Sequence, residues 1–138
     1  SRQAASLSNN ERVQLMLSNS WGELILARLP DAAVVSLLLV LSESRPPPAL
    51  RSAFYGSFQH EGLCEACADA LSSGQPLQQD VNVRLCIRNL ARGPPLRERL
   101  AGSLPALVSS LKNESEQSAQ TQNLVAASAA ALCNICCD

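Results

Sequence analysis

Aromatic residues are scarce: Trp21, Phe54, Tyr55 and Phe58 are the only four in 138 residues. Strands favour aromatic and β-branched side chains, so this scarcity argues against a sheet-based core. A basic excess is also missing. Eleven basic and twelve acidic residues leave a net charge of −1, whereas a nucleic-acid binder concentrates positive charge on one face. Lysine occurs once, at Lys112, and histidine once, at His60. No Gly-rich loop accompanies that lysine, which argues against a phosphate-cradling nucleotide site. No apolar run approaches the ~18–20 residues of a membrane span. The longest, 32–41, has ten residues and includes Ser36. No secretory leader is recognisable.

What is abundant is leucine and alanine, within a hydrophobic fraction of 46%. Both are strong helix formers, and the amount of apolar surface supports a core, so the predicted class is all-α. The length suits one compact unit and not two. Ten of the eleven basic residues are arginine, a bias that favours planar, bidentate contacts with protein. Six cysteines in a chain with this much Leu and Ala do not read as a disulfide scaffold, which substitutes for a poor core. The thiols are expected to be reduced and the compartment cytoplasmic, with the nucleus left open. The start at Ser1 and the stop at Asp138, directly after an apolar run, lead to the expectation of a piece of a longer repeat array.

The chain repeats itself loosely. Segments 31–41, 80–90 and 123–135 have the pattern of one buried helix. Asp31 and Asp80 read as N-caps opening the first two. Superposing those residues sets Val34 on Val83, Leu38 on Ile87 and Leu41 on Leu90, each 49 apart. Asn89 falls on Asn134 and Leu90 on Ile135, each 45 apart. Prolines at 46–48 and 94–95 close the first two helices, because proline lacks an N–H and clashes with the preceding turn. A short amphipathic element follows each closure, at 50–59 and 96–101. Gly62 and Gly102 are read as sharp turns into helices at 63–71 and 104–111, with 112–122 as a polar loop.

The segment Gly102-Ser-Leu-Pro-Ala-Leu-Val-Ser-Ser-Leu111 resembles the second helix of an armadillo repeat. Ile87-Arg-Asn-Leu-Ala91 and Leu132-Cys-Asn-Ile-Cys136 resemble the end of its third helix. The resemblance is to the armadillo and HEAT-like superfamily and spans His60 to the end. Within it, Arg84-Leu-Cys-Ile-Arg-Asn-Leu90 is similar to ataxin-ten-like and guanine-exchange-stimulator-like armadillo proteins. The resemblance implies a right-handed solenoid fragment of about three repeats. It forms one domain over 1–138, with 1–30 as a degenerate cap or partial repeat and units at about 31–92 and 93–138. Such arrays display curved binding surfaces, so the implied function is an intracellular scaffold or adaptor, not an enzyme. Its partner is a protein or peptide, for which the stripe of Arg84, Arg88 and Arg92 favours an acidic segment, and self-association is expected to run through the repeat ends. The resemblance also implies that Asn89 and Asn134 occupy the rungs that clamp a peptide backbone. Val40 stands at the equivalent place in the first long helix, and no tryptophan accompanies either asparagine.

Arg84, Arg88 and Arg92 recur at i, i+4 and i+8, which places them on one helix face. They read either as a solvated stripe or, with Asn89 and Asn134, as a partner-binding surface. Cys64 and Cys67, and again Cys133 and Cys136, stand in Cys-x-x-Cys spacing, with Cys137 adjacent. Four thiolates could ligate zinc, which makes a metal- or redox-responsive domain the alternative. The helical, apolar context instead favours small core residues, since i and i+3 share a face. His60 near Cys64 and Cys67 lacks the setting of a nucleophile pair. No cofactor is expected. A regulatory domain of a larger enzyme is the remaining alternative.

Overall fold

In the computed structural model, residues 7–18, 21–29, 31–58, 62–71, 77–112 and 119–136 are described. Among them the only regular structure is helical, as composition predicts. No helix among them is long and apolar enough to cross a membrane.

Helix α1 (Asn9–Leu17) opens with a capping box. The Ser8 Oγ accepts from the Glu11 N–H at 3.2 Å, and the Ser8 N–H donates to Glu11 Oε1 at 3.0 Å. Helix α2 (Trp21–Arg28) and helix α3 (Ala32–Ser42) follow. The 44–47 stretch then leads into a 3-10 turn, Pro48–Leu50, and helix α4 (Arg51–Gly56). Gly62, the one described glycine with a positive φ (89°), starts helix α5 (Leu63–Ala70) from the left-handed region. Helix α6 (Leu77–Leu90) is closed by Gly93, and Pro94 opens the single turn α7 (Pro94–Arg97) where its missing N–H costs nothing. A 3-10 stretch, Glu98–Ser103, passes directly into helix α8 (Leu104–Lys112), and helix α9 (Ala119–Ile135) ends the described chain.

Four expectations are corrected here. Asp80 lies inside α6, because Leu77-Gln78-Gln79 contains no helix breaker and the helix starts three residues earlier. Asp31 does stand at an N-cap, but its side chain makes no capping bond. Gly102 makes no sharp turn: it sits exposed within the 3-10 stretch. The loop expected at 112–122 is also shorter, since α9 begins at Ala119; residues 113–118 lie outside the described residues.

The packing is ordered. α6 packs most extensively on α9 and α3, which flank it. α1 touches α4, and α4 touches α7; α2 touches α5, and α5 packs on the 98–103 stretch. Between these rows lies one apolar core that includes Met16, Leu38, Leu41, Phe58, Leu63, Ile87, Leu100 and Leu107. All four aromatics meet at one seam of it. Trp21 stands edge-on to Phe58 at 5.2 Å, Phe58 to Phe54 at 5.4 Å, and Phe54 to Tyr55 at 5.1 Å. Each such pair adds about 0.5–1.5 kcal/mol beyond area burial. Trp21, half-buried, also donates its indole N–H to the Met16 carbonyl at 3.0 Å.

Candidate partner-binding face

The sequence places Arg84, Arg88 and Arg92 on one side of α6, but packing treats them differently. Arg84 is only 5% exposed. Its guanidinium lies 3.6 Å from Asp80 Oδ1 and donates to the Asp80 carbonyl at 3.2 Å. Burial raises the Asp80 pKa and lowers that of Arg84, and each charge opposes the shift of the other. Arg88 and Arg92, nearer the helix end, are half-buried and reach the surface.

Asn89 is completely buried. Its Nδ2 donates to Ser42 Oγ on α3 at 3.1 Å, and its Oδ1 accepts from Arg88 Nε and Nη2 at 3.0 and 2.9 Å. On α9, Asn134 donates from Nδ2 to the Arg88 carbonyl at 2.8 Å. Each asparagine therefore ties the end of its long helix back to the preceding one. Asn89 leaves no side-chain surface for a ligand. It acts on the surface through Arg88, whose guanidinium plane it fixes.

At the C-terminal end of α6 the charges of Arg45 and Arg88 act on Arg92. The Arg45 backbone is held by a pair of hydrogen bonds with Asn9: its N–H donates to Asn9 Oδ1 at 2.7 Å, and its carbonyl accepts from Asn9 Nδ2 at 2.8 Å. Arg88 has Glu43 at 3.7 Å, beyond hydrogen-bond length. Arg92 Nη1 is covered by protein and has no hydrogen-bond partner among the described residues. The pKa of Arg92 is lowered, first by burial and then by the charges of Arg45 and Arg88; Tyr55 and Glu43 act weakly in the other direction. The backbone at this end of α6 is itself well satisfied. Arg97 donates to the Ala91 carbonyl at 2.7 Å and Arg51 to the Arg92 carbonyl at 3.1 Å, the favoured place for cations on a helix.

Beside this cluster runs an open groove of about 380 Å³ between α6 and α9. Gln78, Val81, Leu85 and Arg88 form one wall; Asn123, Ala126, Ala127 and Ala130 form the other. Sequence reasoning missed it. The available signal was the run of alanines in 119–135, a helix without a single charged residue.

The cysteine pairs are not brought together. Cys64 and Cys67 are buried in α5, as the helical spacing suggests, but Cys133 and Cys136 are exposed on α9, contrary to the expected core packing. Burial pushes the Cys64 and Cys67 thiols up to about 11 and about 12, so both are neutral at physiological pH. No group of three or more metal-ligating side chains forms among the described residues. His60 and Cys137 lie outside those residues. The sequence matches no known protein family, and no curated protein or solved structure matches it.

Proposed function

We propose that this chain is a protein-binding platform built from three stacked helical repeats of armadillo type, with the row α3–α6–α9 as its binding face. The supporting regularity is that corresponding elements touch in order: α1 on α4 on α7, and α3 on α6 on α9. On this reading residues 1–30 supply the first two helices of a repeat completed by α3. A repeat of this kind cannot bury its apolar face alone, so stacking creates both the core and an extended surface.

The observation that carries the reading is the alanine-walled groove with Arg88 at one end. Val81, Leu85 and the alanines make most of its walls, Gln78, Asn123 and Arg88 supply its polar groups, and its volume falls within the roughly 300–1,000 Å³ of sites that seat a ligand. Arg88, Arg92 and Asn134 would contact the partner, with Arg84 and Asn89 supporting them from below.

A photo-crosslinking residue placed at Ala126, which is exposed in the groove, tests the proposal against one at Ser109, exposed on α8. The same protein is expected on repeated capture from Ala126 and not from Ser109, and Arg88→Glu should abolish it. Equal labelling at both positions, or none at Ala126, overturns the proposal.

A further inference from the structure

The chemistry of the partner is written in the contrast between the two ends of the groove. The α9 wall contributes no charge, since 119–135 holds none. At the Arg88 end, the charges of Arg45 and Arg88 act on Arg92, and Glu43 stands 3.7 Å from Arg88. Positive charge is therefore concentrated at one end of a slot walled mainly by apolar side chains. The Arg88 guanidinium is also positioned before any partner arrives, because Asn89 Oδ1 accepts from both its Nε and its Nη2. The backbone of Arg45 is pinned by two hydrogen bonds with Asn9, and that of Arg92 by the bond from Arg51. Groups fixed in advance lose less freedom on binding, which favours affinity. Guanidinium matches a carboxylate bidentately, whereas a polyphosphate chain would need positive charge along its whole path.

We infer that the α6–α9 groove takes a linear peptide segment in which an aliphatic side chain lies a few residues from an aspartate or glutamate. The aliphatic group seats against Ala126, Ala127 and Ala130, and the carboxylate pairs with Arg88 and Arg92 in place of Glu43. This rests on the platform reading above and adds the partner's chemistry to it. Removing the carboxylate or filling the alanine wall should weaken binding separately, because they act at different ends of the slot.

The test uses the full chain and three fluorescein-labelled peptides on a Gly/Ser background, in which one Leu and two Glu are separated by one, two or three residues. At least one spacing should bind in fluorescence anisotropy. Its Glu→Gln form and its Leu→Ser form should each bind about tenfold more weakly, and affinity should fall with added salt. Arg92→Gln and Ala130→Leu should each cause a comparable loss with the far-ultraviolet circular dichroism unchanged. Ala130→Leu tests the slot without touching a charged residue. Equal binding of the Gln and Ser peptides overturns the inference, as does equal competition by inorganic phosphate or an oligonucleotide. Dimerisation of the free chain that is lost with Arg92→Gln also overturns it, by giving the site to a second copy. If no peptide binds while Ala126 still captures its specific partner, this inference fails and the platform reading stands. If Ala126 is silent too, both fail.

Discussion

Gly93→Ala isolates a steric requirement that backbone geometry alone would not reveal. Gly93 has φ −90° and ψ 112°, a conformation open to any L-residue. A Cβ there would nevertheless lie 2.6 Å from Tyr55 Cγ and 2.7 Å from both Tyr55 Cβ and Cδ1. Relaxed carbon contacts are about 3.5–4.0 Å, so the overlap is close to 1 Å. Rotating the ring cannot relieve it, because Tyr55 Cβ is one of the clashing atoms. Nor is the ring free: Phe54 stands edge-on at 5.1 Å and the Arg51 guanidinium lies 5.2 Å from its centroid. α4 and α7 must therefore separate, which also strains the Arg51 bond to the Arg92 carbonyl. Overpacking of this kind costs about 1–3 kcal/mol. Removing glycine's freedom from the unfolded chain returns about 0.4–1 kcal/mol. The expected net loss is about 1–2 kcal/mol, or a fall in Tm of roughly 3–8 °C. Urea unfolding followed by Trp21 fluorescence should show a lower midpoint with an unchanged slope, since Trp21 packs on Phe58 in the same aromatic seam. In a Tyr55→Ala background the same substitution should cost less, because two of the three close contacts are gone. Stability equal to or above the parent protein would refute the close approach.

Asn89→Ala should destabilise the fold by about 2–3 kcal/mol, since it empties a fully buried site and strips Ser42 and Arg88 of a partner. A change below about 0.5 kcal/mol in urea unfolding would deny the tie between α3 and α6. Iodoacetamide at pH 8 should modify Cys133 and Cys136 within minutes and leave Cys64, Cys67 and Cys86 intact until the chain is unfolded, read by peptide mass spectrometry. Rapid labelling of Cys67 would contradict its burial. Alkali should weaken the fold. Unfolded thiols ionise near about 8.5, while Cys64 and Cys67 keep their protons up to about 11 and about 12. The unfolded chain thus loses protons first, and stability falls as pH rises through that window, by up to about 1.4 kcal/mol per pH unit for each thiol. Cys67→Ala should reduce the slope of the urea-derived stability against pH; an unaltered slope would refute the assignment.

Much of the helical plan is legible from the residues. Leucine and alanine set the class, and the prolines at 46–48 and 94–95 locate the breaks after α3 and α6. The start of α1 was legible too, in Ser8-x-x-Glu11, yet the low apolar periodicity of 1–30 concealed it. These features depend on contacts within a turn or two, which the local sequence encodes. What lies on each helix face was decided by neighbours. Successive i+4 steps drift by about 40° around a helix, so Arg84, Arg88 and Arg92 share only a broad face. Because α3 and α9 flank α6, Arg84 is covered and the two arginines near the helix end emerge. The same Cys-x-x-Cys spacing is buried in α5 and exposed on α9, because α5 is packed between other elements and this face of α9 is not. Asn89 and Asn134 look alike in sequence, but only the packing shows that their amides reach Ser42 and the Arg88 carbonyl, more than forty residues away. Local sequence determines where the helices run. Which side chains remain to meet a partner is settled by the other helices, because burial is a property of the packed assembly and not of any one segment.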